Sequence, residues 1–351
     1  MVASAAGFSA RIERICSSDD DARTLRLRLL VEIDRAVGFD HYVWVLTDPE
    51  TTVGASPLAA APSLADVPRL IRLRYLTALN RWTTLGGDPV ASLDRATQGD
   101  LGRSLMWREL LSGYGVRDVA SVVFRDGFGC WAFLELWRTS RPPFEAAEIS
   151  RLRDLAAPVT AAIRHAQART FAGGPSRTGR LDGPVVLLLS PDLEVRGQTP
   201  GTHDPLRRLV PRDDDGPPVP AGAYNVAAQL LAVEAGVDDH PPWARAHLGD
   251  GVWATLRAAR LDGSPPAEER DIAVTIEEAT TAERLALFAL ASGLSARERE
   301  LLGHLAAGLD TGEVAAHMHL SGHTVQDHLK SIFTKTGAHS RRTLLARARG
   351  R

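Results

Sequence analysis

The sequence contains only two cysteines, Cys16 and Cys130, and they are far apart. It therefore offers no disulfide framework and no Cys-x-x-Cys metal site. It lacks any apolar run near the ~20 residues that a membrane-spanning helix needs. Its first residues have no apolar core preceded by positive charge, so they do not form a secretory signal. These absences predict a cytoplasmic protein that has no membrane segment.

The sequence also lacks the motifs of common catalytic and nucleotide-binding sites. It has no Gly-x4-Gly-Lys-Ser/Thr phosphate loop, and no acid/base or nucleophile group accompanies its aromatic residues. We therefore expect no enzymatic activity, no cofactor and no bound metal. The run Asp19-Asp20-Asp21 is interpreted as a solvated charge run, because no strand precedes it to build a phosphoacceptor pocket.

Charge is distributed unevenly along the chain. The overall net charge is -2, but residues 294–351 contain nine Lys or Arg against five Asp or Glu, a balance of +4. The preceding residues must therefore carry -6. Such asymmetry predicts a basic module for an anionic partner, joined to acidic domains that have another task.

Apolar patterns indicate a first mixed domain. Leu25, Leu29 and Ile33 repeat with helical spacing, and a strand follows them. β-branched and aromatic runs on both sides of Asp126-Gly127 predict a hairpin. Its second arm is apolar on both faces, which is typical of a central strand. A long helix closes the region, and the whole order resembles a GAF-like sensor domain.

A stretch rich in Gly, Ser and Arg after residue 170 is the clearest linker. Two strands, a helical middle and three strands follow it, in the order of a PAS-like sensor domain. The predicted fold is therefore multidomain α+β. Its parts are an N-terminal tail at 1–19, a GAF-like α/β domain at 20–170, a linker at 171–182, a PAS-like α+β domain at 183–279, a connecting helix at 280–293 and an all-α four-helix module at 294–351.

Capping residues predict the four helices of the basic module. A Ser-x-x-Glu capping box begins at Ser295, and Asp310 can cap a second helix. Ser321 can cap a third helix, which Gly337 ends, and a fourth follows from Ser340. The short turn before Ser321 gives the second and third helices helix-turn-helix geometry.

The third predicted helix has two unlike faces, an apolar stripe and a polar face. On the polar face, Gln326 can bond an adenine edge, Asp327 can accept from cytosine, and Lys330 can reach guanine or phosphate. This division favours insertion into a DNA major groove. The residues predicted to contact DNA are Ser321, His323, Thr324, Gln326, Asp327, Lys330, Thr334, Lys335, Arg341 and Arg342.

Motifs of a known family run through this module. Leu294-x-x-Arg297-Glu298 opens it, Glu313-Val314-Ala315 lies in the second helix, and Ser321-x-x-Thr-Val-x-x-His328 begins the third. Through these motifs, a stretch of about 55 residues resembles the LuxR-type helix-turn-helix transcription regulators. The resemblance implies sequence-specific binding of double-stranded DNA, usually by a homodimer that meets at helix four. The sensor domains are a further candidate dimer contact.

One departure from the family concerns base reading. Family members commonly read bases from the positions that here are Gln326, Asp327 and Lys330, and the first is usually Lys or Arg. Gln326 and Asp327 together remove one positive charge and add a negative one. The departure predicts weaker contact with generic phosphate and more dependence on base readout.

Four histidines, His317, His319, His323 and His328, lie within twelve residues of the module. His317 and His319 can bind zinc weakly, but the sequence specifies no third ligand, so a metal site is not predicted. His323 is expected to meet phosphate, and His328 is expected to be a packed structural residue. A metalloenzyme built on these histidines is the third candidate class of function.

Aromatic residues of the first domain are candidates for the lining of a small-molecule pocket, and equally for core packing. The predicted function is a transcription regulator whose N-terminal domains sense an unknown ligand or partner. The alternative is a non-enzymatic signalling protein whose helical module mainly contacts protein, for example RNA polymerase. The candidate pocket residues are Tyr42, Trp44, Tyr75, Trp82, Trp107 and Trp131.

Overall fold

The structure is a computed structural model that describes residues 5–173, 181, 183–200, 221–263, 266 and 269–350. Two five-stranded antiparallel sheets and a C-terminal helical module make up this part of the chain. No helix in it combines the length and the apolar character of a membrane span.

The first unit, residues 5–173, is built around the first sheet. Its elements are α1 (Ala5–Cys16), α2 (Ala22–Ala36), β1 (His41–Thr47), β2 (Gly54–Ala60), α3 (Val67–Leu76), β3 (Val90–Ser92), α4 (Leu93–Thr97), α5 (Leu105–Glu109), β4 (Asp118–Asp126), β5 (Gly129–Arg138) and α6 (Ala146–Arg169), with 3₁₀ turns at Leu101–Arg103 and Leu111–Tyr114. The strand order is β2-β1-β5-β4-β3. The predicted hairpin is β4–β5, and β5 is a central strand, as its two apolar faces predict.

Two expectations for the first unit need correction. The unit was expected to be α/β, but every strand pair in its sheet is antiparallel, which makes it α+β. The segment expected to be an N-terminal tail is, over its described part, helix α1. Phe8, Ile12 and Ile15 recur on one side of α1 and are buried, and the helix packs against α2 and α6. A stripe of only three apolar residues is a weak signal in sequence, which is why this helix escaped prediction.

The second unit, residues 181–279, is built around the second sheet. Its described elements are β6 (Val185–Leu189), β7 (Val195–Gln198), α7 (Ala221–Glu234), β8 (Trp243–Gly249), β9 (Val252–Arg260) and β10 (Ile272–Glu278). The strand order β7-β6-β10-β9-β8 repeats the order of the first sheet. The units predicted to be GAF-like and PAS-like therefore share one strand order. Most of the chain between β7 and α7 lies outside the described residues.

The two units share one hydrophobic core, which we call the shared core. Tyr75, Trp82 and Phe133 of the first unit belong to the same buried cluster as Val226 and Leu256 of the second. Helix α3 and strand β2 of the first unit pack against α7. The units are therefore separate in sequence but not in packing.

Two buried ion pairs also join the units. Arg81 of the first unit donates through Nε to Asp238 Oδ2 at 2.7 Å, and neither side chain is more than 2% exposed. Arg245 of β8 donates through Nε to Asp48 Oδ2 at 2.6 Å, with side-chain exposures of 1% and 0%. Because a buried charge without a partner costs free energy, these pairs favour one arrangement of the units.

The first residue of the linker predicted at residues 171–182 is buried in the protein core. Phe171 is fully buried, and its ring centroid lies 5.4 Å from those of both Trp253 and Phe288. Residues 174–180 and 182 of the predicted linker lie outside the described residues. The first unit therefore extends at least through Phe171.

Five helices complete the described chain: α8 (Thr281–Ala291), α9 (Ala296–Ala307), α10 (Thr311–His317), α11 (Gly322–Thr336) and α12 (Arg341–Arg349). Helix α8 falls within the segment predicted to be a connecting helix, and it contacts α6, α9 and α12. Near its start, Arg284 donates to the carbonyl oxygens of Gly251 at 2.7 Å and Arg347 at 3.3 Å. Near its end, Arg164 donates to the Ala291 carbonyl oxygen at 3.4 Å. Two arginines thus hold α8 between the sheet units and α12.

Candidate nucleic-acid interface

Helices α9 to α12, the C-terminal module, begin at the caps that the sequence predicts. The side chains of Ser295, Asp310, Ser321 and Ser340 each accept a hydrogen bond from the backbone N–H three residues further on. Gly337 follows α11 with φ 63°, a left-handed conformation that glycine adopts without strain. The module's helix boundaries are therefore encoded by local contacts.

The apolar stripe of α11 is its inner face. Val325, Leu329 and Ile332 are buried, and α11 packs against α9 and α10. His328, at the edge of the stripe, is half-buried, which agrees with its expected packing role. The turn between α10 and α11 includes His319 at φ 53°. This packing directs the opposite face of α11 away from the module.

The outer face of α11 carries five of the ten side chains predicted to contact DNA. His323, Gln326, Asp327, Lys330 and Thr334 are all exposed. Asp327 lies between two of them, with its Oδ2 3.7 Å from His323 Nε2 and its Oδ1 3.5 Å from Lys330 Nζ. Ion pairs between such exposed side chains contribute little, so Lys330 can exchange Asp327 for DNA at small cost.

Ser321 and Thr324, at the start of α11, form the hydrogen bonds that cap this helix. The Ser321 hydroxyl is 2.9 Å from the Thr324 hydroxyl and also accepts the Thr324 N–H. Ser321 is exposed and Thr324 is half-buried. The first turn of a helix presents free N–H groups, which is the usual geometry for a phosphate contact.

Two of the predicted DNA contacts have partners within the module. Lys335 Nζ donates to Glu298 Oε2 at 2.6 Å, and Arg341 Nη2 donates to the Leu309 carbonyl oxygen. Arg342, in contrast, is exposed. The sequence places Glu298 in the α9 capping box and in the opening family motif, but it does not predict the contact with Lys335, since the two residues are far apart in the chain.

Glu298 is the centre of a buried polar network. It accepts hydrogen bonds from the Ser331 hydroxyl and from the Ser295 backbone N–H, both at 2.6 Å, in addition to Lys335. Burial alone would raise the pKa of Glu298, but the hydrogen bonds from Lys335, Ser331 and Ser295 outweigh it and lower the pKa to about 2. The network joins α9 to α11 through one ionised carboxylate.

This network predicts a pH dependence of stability. Glu298 has an ordinary pKa of 4.5 and a folded pKa of about 2, so its contribution is complete above pH 4.5 and is lost as the pH falls toward 2. Glu298→Gln should therefore be less stable at pH 7 and lose less stability than the wild type between these values. Urea unfolding at several pH values, followed by circular dichroism, measures the difference.

Glu300→Gln is the matched control for that measurement. Glu300 lies on the same helix and pairs at the surface with Arg297 at 2.8 Å. It should keep the pH dependence of the wild type. A Glu298→Gln protein with the wild-type pH dependence would contradict the assignment.

The four histidines of residues 317–328 do not converge. His317 Nδ1 lies 2.8 Å from the Glu313 carbonyl oxygen, whereas His323 stands on the outer face of α11. Within the described ranges, the one group of three potential metal ligands is Asp238, Asp239 and His240 in the second unit. That group already has a cation, because Asp238 pairs with Arg81.

The candidate pocket residues are dispersed through the first unit. Tyr75 and Trp82 are in the shared core, where the Tyr75 hydroxyl accepts the Gly54 N–H at 2.9 Å and Trp82 Nε1 donates to the Thr52 carbonyl oxygen at 2.8 Å. Trp44 is fully buried, Tyr42 is half-buried, and Trp107 Nε1 donates to the Val116 carbonyl oxygen at 2.8 Å. Of the six, Trp131 lines a cavity between the units.

Four capped helices, a buried seam and an exposed polar face define a helix-turn-helix module. Residues 292–348 match the model of a family described as bacterial regulatory proteins, luxR family. The match covers 57 of 351 residues and includes almost the whole C-terminal module. The module is therefore a LuxR-type helix-turn-helix domain, and this supports a DNA-binding transcription regulator. No curated protein matches the chain.

Proposed function

We propose that the protein is a sequence-specific transcription regulator that binds double-stranded DNA and acts in the cytoplasm without catalysing a reaction. The observation that carries the proposal is the outer face of α11. It presents hydrogen-bonding side chains on a buried apolar seam, within a module that matches the luxR family. The two sheet units would sense a ligand or partner and change how this face is presented.

Gln326, Asp327 and Lys330 are proposed to read bases, because they occupy the exposed centre of α11. Ser321, His323 and Thr324 at its start, with Arg342 at the start of α12, would contact phosphate. Thr334 at the end of α11 completes this surface. Lys335 and Arg341 would join only if DNA replaces their contacts with Glu298 and Leu309.

A homodimer is proposed to form through α12, the sheet units or both. Leu344 and Ala348 of α12 face the interior of the module, and another side of α12 meets α8 of the same chain. Two copies of α12 could pair only through the part of its surface that contacts neither the interior of the module nor α8. A movement of α8 would change that surface, which links sensing to dimer formation.

Selection of bound sequences from a random DNA pool tests the proposed function. A DNA-binding regulator should enrich one motif with two-fold symmetry, and its affinity should fall as salt rises, because phosphate contacts release counterions. An unenriched pool, or binding that does not respond to salt, would favour the alternative in which the module contacts protein such as RNA polymerase.

Lys330→Ala should weaken binding to the selected operator by about 1–3 kcal/mol, the size of one good base contact. The effect should be much smaller on a scrambled sequence, because a lost base contact affects the operator alone whereas a lost phosphate contact affects all DNA. Fluorescence anisotropy at one fixed salt concentration measures both affinities.

Arg297→Ala is the control, because Arg297 is an exposed cation of the same module on α9. The chain also provides an independent readout, since its only two lysines are Lys330 and Lys335. Operator DNA should protect Lys330 from acetylation by an amine-reactive reagent. Full reactivity of Lys330 in the complex, or unchanged affinity of Lys330→Ala, would remove this residue from the interface.

A further inference from the structure

A cavity of about 300 Å³ lies where the two sheet units and α8 meet. The first unit contributes residues of α2, β1, β2, β5 and α6, the second contributes β8 and β9, and α8 contributes Leu287. Much of the wall is apolar and includes Leu46, Trp131, Leu248 and Trp253. A pocket of this size suits a small molecule, and its wall includes both sheet units and α8.

Arg26 is a buried cation in the wall of this cavity, and it has no carboxylate partner in the described part of the chain. The residue is 2% exposed. Its Nε donates to the Ala22 carbonyl oxygen at 3.0 Å, and its Nη1 donates to those of Trp44 at 3.0 Å and Ser56 at 3.1 Å. No described residue bonds to Nη2. Burial lowers the pKa of Arg26 to about 9, so the group remains charged at neutral pH.

Four of the five other buried arginines in the described chain pair with a carboxylate, and the fifth, Arg284, donates to carbonyl oxygens. Arg74, Arg81, Arg138 and Arg245 each lie within 2.7 Å of a carboxylate oxygen. A buried charge without a counter-charge costs free energy, and an anion placed beside it recovers part of that cost. The wall around Arg26 therefore favours an anionic occupant.

Asp21 attracts Arg26 electrostatically, but it forms no ion pair with Arg26. The Asp21 carboxylate lines the cavity, but it caps α2 by accepting the N–H groups of Arg23 and Thr24 at 2.8 and 2.9 Å. Arg23 adds a second positive charge to the wall. The third arginine, Arg245, is already paired with Asp48.

The second unit contributes to the cavity wall two residues that carry unpartnered polar atoms. His247 Nε2 and Trp253 Nε1 are buried, and neither forms a hydrogen bond with any described residue. The two rings lie 5.2 Å apart. Burial, with a smaller effect of Arg284, lowers the pKa of His247 to about 4, so its ring is neutral at pH 7. The indole N–H can only donate, and it therefore requires an acceptor.

We propose that this cavity binds a small monocarboxylate with an apolar body. The carboxylate accepts from Arg26 Nη2, and the apolar body packs on the surrounding aliphatic and aromatic side chains, which include Trp253. With Arg245 paired and His247 neutral, Arg23 and Arg26 against Asp21 leave the wall one net positive charge, which matches a single negative charge. The inference rests on the proposed function, since it supplies the ligand class for the sensing units.

The cavity also has a route to the DNA-binding module. Leu287 of the cavity wall is three residues from Arg284 on α8, and Arg284 bonds to Arg347 of α12. Arg284 bonds as well to Gly251 in the turn that joins β8 and β9. A ligand in the cavity would therefore act on α8 in two places. One is Leu287 in the cavity wall, and the other is Arg284 near the start of the helix.

Matched acids and amides test the proposal on the full-length wild-type chain without DNA. Benzoate, phenylacetate and hexanoate are each titrated beside benzamide, phenylacetamide and hexanamide, with tryptophan fluorescence as the readout because Trp131 and Trp253 line the cavity. At least one acid should bind saturably and about 10-fold or more tightly than its amide, since a charge-assisted bond is lost in the amide. Absence of saturable binding by every acid, or equal affinity of acid and amide, overturns the proposal.

Two arginine variants locate the charge contact. Arg26→Gln should bring the acid-to-amide affinity ratio to about 1, whereas Arg28→Gln should keep the wild-type ratio, because Arg28 is on the same helix but pairs with Asp20 at the surface. A folded Arg26→Gln protein that keeps the ratio overturns the site. Should Arg26→Gln fail to fold, the wild-type comparison still decides the ligand class. These titrations contain no DNA, so their failure is distinct from a failure of the DNA selection.

Discussion

Replacing Arg245 with methionine should lower the free energy of unfolding by about 3–5 kcal/mol. Asp48, which is fully buried, would keep its charge and lose the cation that offsets it. Arg245 also donates to Glu50 Oε2 and to the Glu283 carbonyl oxygen, each at 3.0 Å. The same change therefore loosens β8 from the start of α8. Chemical denaturation of the full chain, followed by circular dichroism, measures the loss.

Arg257→Met is the matched control for this large effect. Arg257 stands on the neighbouring strand β9 and pairs with Glu283, but its side chain is half-exposed, so its removal should cost at most about 1 kcal/mol. Combining Arg245→Met with Asp48→Asn should recover part of the loss, because neither residue of the pair then carries a charge. Equal stability of Arg245→Met and Arg257→Met would contradict the role given to the buried pair.

Phe171→Ala should also cost about 3–5 kcal/mol, the usual range for removing a buried aromatic ring. Phe171 packs against Trp253 in the cavity wall and Phe288 on α8, and the Arg284 guanidinium lies 4.8 Å from its ring centroid. Its loss leaves a void where the first unit, the second unit and α8 meet. Thermal and chemical unfolding of the variant measure the cost.

Phe39→Ala provides the comparison, because Phe39 is half-buried and makes one edge contact with Tyr42. Its loss of stability should be clearly smaller. If the cost at Phe171 does not exceed the cost at Phe39, residue 171 belongs to a flexible linker, as the composition of the sequence indicates.

The C-terminal module was predictable because its signals are local. Each cap, such as Ser295 or Asp310, bonds to a backbone group three residues away, so the whole contact lies in one short stretch of sequence. The stripe of Val325, Leu329 and Ile332 likewise lies within two helical turns. Short-range hydrogen bonds and helical periodicity together determine the helices and the exposed face of α11.

The strands of the first sheet were predictable only in part. The β4–β5 hairpin was predicted from its turn and its apolar arms. β2 was not, because its sequence, GASPLAA, consists of small residues and a proline. Its position explains this composition: β2 is an edge strand, where a missing N–H is tolerated.

The candidate ligand site was not predictable from sequence because its defining property is burial. Arg26 belongs to the sequence ARTLRLRLL, where three arginines within six residues look like solvent-exposed charges. Only the packing of α2 on β1 and β2 encloses one of them. The same limit applies to the pair Arg81–Asp238, whose members are 157 residues apart. Aromatic composition pointed to Tyr75 and Trp82 instead, and these fill the shared core.

The shared core has a consequence for how such a protein can be rebuilt or can diversify. Cutting the gene after residue 173 would leave Tyr75, Trp82 and Phe133 on the surface of the first fragment, and a large apolar patch promotes aggregation. Exchanging the second unit for a foreign one would require a matching apolar face and counter-charges for Arg81 and Asp48. The pair of sheet units is therefore the transferable cassette, and chimaeras should be joined beyond it, near residue 292.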